Sequence, residues 1–242
     1  MPIGVIIDAL SVVFGGLLGA IAGGLLKEDF KERMNMVFGC CSMGMGISTI
    51  VLMQNMPAVI FSLILGTAIG LAIHLGERIN QSAVGMQRLV FRFVKNTSQL
   101  SEENFTATLV TIIVLFCASG TGIYGAIVSG MTGDHTILIS KSILDLFTAA
   151  IFACSLGAVV SLVAVPQCVI FLILFFASTV ILPLTNDAMI ADFKACGGFI
   201  MLATGFRMIK VKMFPIADMV PAMILVMPIS ALWANHILPL VS

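Results

Sequence analysis

Residues 3–26 read IGVIIDALSVVFGGLLGAIAGGLL, a run of 24 residues with one ionisable side chain, Asp8. Wound as an α-helix at about 1.5 Å per residue, such a run is ~36 Å long and crosses the roughly 30 Å hydrocarbon core of a bilayer. The same texture recurs seven more times, at 34–53, 58–76, 105–130, 136–164, 168–184, 188–209 and 216–238. Backbone N–H and C=O groups cannot stay unpaired in lipid, and the stretches lack the alternation of barrel strands, so they are read as helices. The predicted fold class is all-α: a polytopic transmembrane bundle of about eight helices, forming one integral membrane domain over residues 1–242.

Composition agrees. Of 242 residues, 60% are apolar and 10% charged, against roughly 45–50% and about 25% in soluble domains. A soluble enzyme, a nucleic-acid binder and a disordered regulator are excluded, because each needs a charged skin or charged chain. Twelve basic and twelve acidic residues cancel, so no strongly charged partner is implied; the expected surroundings are the lipid bilayer and a small solute or ion. The cysteines Cys40, Cys41, Cys117, Cys154, Cys168 and Cys196 form no Cys-x-x-Cys pair and are read as buried small hydrophobes. No basic residue precedes the first apolar run, which is expected to be a retained helix rather than a signal peptide.

Orientation follows from the basic residues. Lys27, Lys31 and Arg33 fall between the first two stretches, Arg78, Arg88, Arg92 and Lys95 between the third and fourth, and Arg207, Lys210 and Lys212 before the eighth. In an eight-helix arrangement these ten lie on one side, which the positive-inside rule makes cytoplasmic, leaving both termini periplasmic. The lone Tyr124 and Trp233 are expected at the outer interface. The long cytoplasmic loop, 77–104, carries Arg88, Arg92 and Lys95 at helical spacing opposite Leu89, Val90, Phe93 and Val94. It is predicted to hold an amphipathic helix on the inner leaflet.

Small residues recur at four-residue spacing. Gly15, Gly19 and Gly23, and again Gly66 and Gly70, offer close helix contact, either within one subunit or in a homo-oligomer. Gly39, Gly46 and Pro57-Ala58-Val59-Ile60 resemble Gly198, Gly205 and Pro221-Ala222-Met223-Ile224. This similarity is either coincidence or an inverted repeat of helices 1–3 as 6–8, an arrangement common in transporters.

Two basic residues, Lys141 and Lys194, lie inside apolar stretches, where an unpartnered charge costs several kcal/mol. Asp145 stands four residues after Lys141, the spacing of a pair on one helix face. Asp187 and Asp192 flank Lys194, and Asp8 lies in the outer half of the first helix. Asp134 and Asp187 each begin a stretch and are read as helix caps, Asp134 more firmly so. The charged set points to a polar cavity open to the periplasm that binds a small solute or ion, against the alternative of salt bridges that merely fasten the bundle. In the fourth stretch Gly120, Thr121 and Gly122 follow Ala118-Ser119, and so many small residues in a row predict either an unwound, ligand-binding turn or close packing. Met34, Met36, Met43 and Met45 with Cys40 and Cys41 would suit Cu(I), but sixteen methionines spread over the chain read as core filler. No metal site and no cofactor are expected, and nothing resembles a catalytic constellation.

Phe116-Cys117-Ala118-Ser119-Gly120-Thr121-Gly122-Ile123, with Met131-Thr132-Gly133-Asp134 and Lys141-Ser142-x-Leu144-Asp145, closely resembles the bacterial inner-membrane YqgA-like family, a domain of unknown function numbered 554. So do Ile181-Leu182-Pro183-Leu184-Thr185, Ala191-Asp192-Phe193, Ala203-Thr204-Gly205, Lys212-Met213-Phe214-Pro215 and Met227-Pro228-Ile229-Ser230-Ala231. The resemblance spans nearly the whole chain and implies a multi-pass inner-membrane protein of a kind labelled a transporter, with no settled substrate. Some relatives carry Pro at the place of His135 and Ser at that of Lys194, which leaves Lys141 and Asp145 as the firmer pair.

Two functions are compatible with these residues: a transporter or channel, or a non-transporting membrane scaffold or regulator. An enzyme is not expected. The charge distribution gives the first test. A reporter active only in the cytoplasm, fused after Ser242, is expected to stay silent, and a strong signal there overturns the eight-helix topology.

Overall fold

The structure is a computed structural model, and it describes residues 1–22, 27–91, 102–117 and 119–241. It is built of helices, with no strand among the described residues. These are α1 (Ile3–Ala22), α2 (Glu28–Ile50), α3 (Met56–Ala72), α4 (Leu75–Phe91), α5 (Glu102–Cys117), α6 (Gly120–Thr132), α7 (Thr136–Leu156), α8 (Val159–Leu162), α9 (Ala164–Ile181), α10 (Asp187–Met208), α11 (Ile216–Met219), α12 (Pro221–Leu232) and α13 (Leu238–Val241).

Local chemistry sets the ends. Ser119 caps α6 by accepting the Gly122 N–H, and Asn186 caps α10 by accepting the Met189 N–H. Gly133 closes α6 at φ 72° and Gly157 closes α7 at φ 77°, backbone that a side chain would strain. The Gly157 stop corrects the expected 136–164 stretch: the helix ends at Leu156, and the next apolar helix starts near Val159.

Among the described residues, six helices are long and apolar enough to cross a membrane, or seven if the bent pair Met56–Ala72 and Leu75–Gly85 counts as one span. The second expected span, α2, is 23 residues long but is diluted by glycine, serine and threonine. The third, α3, stops after 17 residues, where His74 turns at φ 52°. The segment expected to be amphipathic is helical as far as Phe91, with Ala83 buried in a core of Phe105, Leu109, Ile112, Phe116 and Leu156. Arg92, Phe93, Val94 and Lys95 lie outside the described residues.

The chain forms two compact units interleaved in sequence: Met1–Asn35 with Arg78–Thr179, and Met36–Glu77 with Val180–Ser242. In the first, α1 packs along α7. Gly4 meets Leu138, Gly15 the Leu146 carbonyl and Gly19 the Ala150 carbonyl, so the two helices run parallel. Gly16 meets Ser161, whose hydroxyl donates to the Val13 carbonyl at 3.0 Å. Gly15, Gly16 and Gly19 are therefore covered from within the chain, and Gly23 lies outside the described residues. Its opposite face presents Ile6, Leu10, Phe14, Leu18 and Ile21 outward, the apolar side that lipid accepts.

In the second unit α2 and α10 cross antiparallel on paired glycines. A Cβ on Gly46 would stand 2.6 Å from the Gly198 carbonyl oxygen, and one on Gly198 would stand 2.7 Å from that of Gly46. Gly39 and Gly205 oppose each other in the same reciprocal way. The two similar Gly-x6-Gly segments thus pack on each other, while Gly66 and Gly70 of α3 lie against Ala222 and Asp218.

The glycine contacts carry a stability prediction. Gly15→Ala and Gly19→Ala each force a methyl against a carbonyl of α7 and are expected to cost about 1–3 kcal/mol by overpacking. Gly44→Ala, with nothing within 4 Å of the added carbon, is expected to be neutral or to stabilise by up to about 1 kcal/mol through helix propensity. Thermal unfolding of the three variants in one detergent checks the contrast.

Candidate functional site

The α1–α7 contact decides where Asp8 goes. It lies on the same face of α1 as Val5, Val12, Gly15 and Gly19, all buried, and so points at α7 rather than outward. There it meets Lys141 and Asp145, one turn apart on the same face of α7. Lys141 Nζ donates to Asp8 Oδ2 at 3.2 Å and to Asp145 Oδ2. The spacing-based Lys141–Asp145 pair is present, and Asp8 completes it across helices.

A fourth member comes from α9. Gln167 Nε2 donates to Asp8 Oδ2 at 2.8 Å and to Asp145 Oδ2 at 3.1 Å. The two carboxylates therefore share the same two donors. Sequence reading passed over Gln167 because it fell between the expected 136–164 and 168–184 stretches; α9 starts at Ala164 and takes it inside a span, where a polar group rarely lacks a partner. Its solvent exposure is 0%, as is that of Asp8, and Lys141 shows 3% and Asp145 8%.

Aromatic rings close the site. Lys141 Nζ stands 5.4 Å from the ring centre of Phe171 and 5.9 Å from that of Phe116, within cation–π range. The small residues of the fourth apolar stretch lie here as well: α5 is described to Cys117, Ala118 lies outside the described residues, and α6 starts at Gly120 behind the extended cap Ser119. Gly120, Thr121 and Gly122 are not unwound but form the first turn of α6, all buried. A Cβ on Gly122 would overlap the Phe171 ring and reach 3.0 Å from Lys141 Cε, so this glycine makes room for the lysine stem. The charged set is thus a sealed cluster rather than the expected open cavity, because aromatic side chains and helix backbone occupy its flanks.

The remaining predicted site residues lie elsewhere. Asp134 accepts the Thr136 N–H at 3.0 Å at the start of α7. Asp187 is exposed in the first turn of α10, where its charge suits the helix dipole; the cap itself is Asn186, whose oxygen reaches the Met189 N–H. Lys194 is half-buried on α10. Asp192 is fully buried in the second unit and saturated: Oδ1 accepts the Gln54 and Asn55 N–H groups at 2.8 and 2.9 Å, and Oδ2 accepts Asn55 Nδ2 at 2.9 Å and the Ser230 hydroxyl at 2.6 Å. It satisfies the N-terminus of α3 from another helix. One smaller reading is corrected. Cys40 and Cys41 are exposed rather than buried, while Tyr124 is buried in the first unit; an apolar run inside a membrane does not say which of its faces meets lipid.

Asp192→Ala removes the acceptor of four donors, and those left buried and unpaired cost about 1–3 kcal/mol each. It is expected to lower the unfolding temperature of the protein sharply, while Asp192→Asn, which keeps one acceptor oxygen, loses less. Equal loss in the two variants overturns this capping role.

Comparison with known proteins fits a helical membrane protein without an assigned activity. A family model described as "Protein of unknown function (DUF554)" matches residues 3–231. The chain is 47% identical over 233 residues to the uncharacterized protein YqgA of Escherichia coli strain K12, covering 96% of this chain and 98% of that one. It is 24% identical over 226 residues to the uncharacterized membrane protein YdfK of Bacillus subtilis strain 168, covering 92% and 93%. No solved structure matches. With the match running through the α1, α7 and α9 residues of the cluster, the chain belongs to the DUF554 family of membrane proteins.

Proposed function

We propose that this protein is a transporter or channel of the bacterial inner membrane that moves a small solute or ion, rather than an enzyme, and that Asp8, Lys141, Asp145 and Gln167 are its binding centre. The observation that carries this reading is the cluster itself: two carboxylates, an ammonium and an amide buried among apolar helices beside an interrupted one. Fastening alone does not call for such groups, since well-packed apolar side chains of similar volume often stabilise as much as a buried ion pair. Interrupted helices beside intramembrane charges are a recurring means of binding ions in transporters. The sealed geometry corresponds to an occluded state, with access expected from the periplasmic side.

The same reading takes eight spans with both termini periplasmic. Its support is the one-sided basic residues and the course of α2, which lies along the candidate span α10 at two glycine levels. The paired Gly-x6-Gly segments of α2 and α10, related in opposite directions, support an inverted repeat. A scaffold role draws on the same glycine contacts and on the saturation of Asp192, and the experiment below separates it from transport.

Liposomes containing only this protein are expected to take up at least one member of a panel of inorganic ions and small polar solutes above empty controls. Single neutral substitutions of Lys141 or Asp145 leave a buried charge unpaired and cost about 3–5 kcal/mol, so loss of activity there is ambiguous. The swap Lys141→Asp with Asp145→Lys keeps the charge count. A fastening pair tolerates it. A binding centre loses about tenfold or more of its flux, roughly 1.4 kcal/mol or more of misplaced interaction, while the protein stays folded. Full flux in the swapped protein, or no uptake of any probe by the native one, overturns the proposal.

A further inference from the structure

The cluster is unbalanced in charge and in hydrogen bonds. Asp8 and Asp145 bring two carboxylates against the one ammonium of Lys141. Among the described residues, two fully buried oxygens at its centre have no hydrogen-bond partner: Asp8 Oδ1 and Gln167 Oε1. Both are acceptors when Asp8 is ionised, so neither can satisfy the other. An excess negative charge and two stranded acceptors in an apolar interior would each cost free energy that nothing nearby repays.

One added proton removes all three faults. Gln167 already donates from Nε2 to Asp8 Oδ2 at 2.8 Å, so the two unpartnered oxygens belong to groups already joined by one hydrogen bond. With a hydrogen on Oδ1, the carboxyl can donate back to Oε1, the reciprocal pairing an amide and a carboxylic acid form through two parallel hydrogen bonds. A metal cation fits less well: Na⁺-sized ions need several oxygen ligands, and the described cluster leaves two free. We infer that Asp8 and Gln167 form a proton-binding site, with the proton on Asp8 Oδ1 and Gln167 Oε1 as its acceptor. This deepens the transport reading, on which it rests for its meaning: the coupling ion is H⁺.

Binding makes one O–H bond at Asp8, consumes one proton from water and brings the cluster from one net negative charge to neutrality; release reverses each change, and no electron moves. Among the described residues, Lys141 is the one cation that pairs with Asp8. Lys141 and Asp145 on α7 are already counted. His135, beside Gly4, is engaged with Ser129. Cys168 on α9, Cys117 at the end of α5 and Tyr124 on α6 are neutral or negative in any state, and α8 has no titratable side chain.

Infrared spectroscopy of the full-length protein in lipid nanodiscs at neutral pH tests this directly, because a buried protonated carboxyl absorbs above the amide I band and a carboxylate does not. One such band is expected, lost in Asp8→Asn, shifted in Asp8→Glu, and raised in frequency in Gln167→Leu, where the acceptor is gone. Asp8→Asn imitates the neutral cluster and is expected to fold. If it does not, the two other variants carry the test. The band should be unchanged when Na⁺ replaces choline at constant pH. Absence of the band, its persistence in Asp8→Asn, its indifference to both Asp8→Glu and Gln167→Leu, or its conversion to carboxylate absorption on adding Na⁺ overturns the proton site. The band without any liposome flux leaves the proton site standing and removes the transport role; flux without the band does the reverse.

Discussion

Everything in the first unit depends on how closely α1 can approach α7. At Gly15 and Gly19 the α1 backbone rests directly on carbonyl groups of α7, a separation that no side chain permits. That contact fixes both the spacing and the rotation of α1. It carries Asp8 inward to Lys141 while Ile6, Leu10, Phe14 and Leu18 turn outward. In water this distribution would be inverted and unstable. In a bilayer it is natural, because lipid accepts the large apolar side chains, helix association relies on close packing, and the ionic groups must find one another inside.

Two of the buried acidic groups, Asp192 and Asp8, show how one residue type divides between roles. Asp192 receives four hydrogen bonds from fixed donors, two of them backbone N–H groups at the start of α3. Its charge is spread and its geometry locked, which suits a structural cap. Asp8 receives its bonds on one oxygen only, from two side chains that also serve Asp145. A group with an unused oxygen and shared partners can change state without unfolding its surroundings. The distinction lies in where the donors come from, and it separates a fastener from a centre able to load and unload.

Much of the architecture was legible from residues 3–26 onward. Apolar length, the scarcity of charge and the lack of alternation suffice for a helical membrane protein, since the bilayer admits few backbone solutions. The Lys141–Asp145 pair was legible because one helical turn relates them. The run of small residues at Gly120–Gly122 left unwinding and close packing open, and the structure shows the packing. What misled was uniformity: where both faces of a helix are apolar, hydropathy does not tell core from lipid side, so the Cys40–Cys41 pair was misplaced, and a helix end at Gly157 passed unnoticed inside a continuous apolar run.

The sequence by itself determined that the chain is a helical membrane protein and which segments carry charges that need partners. It did so because transfer from water to lipid depends on composition along a single helix, summed locally. Only the tertiary structure decided which partners those charges take. Asp8 and Gln167 stand 159 positions apart, and no local rule relates α1 to α9. Their meeting at Lys141 depends on the glycine contact between α1 and α7 and on the packing of α9 beside them, and those depend on shape matched between distant segments.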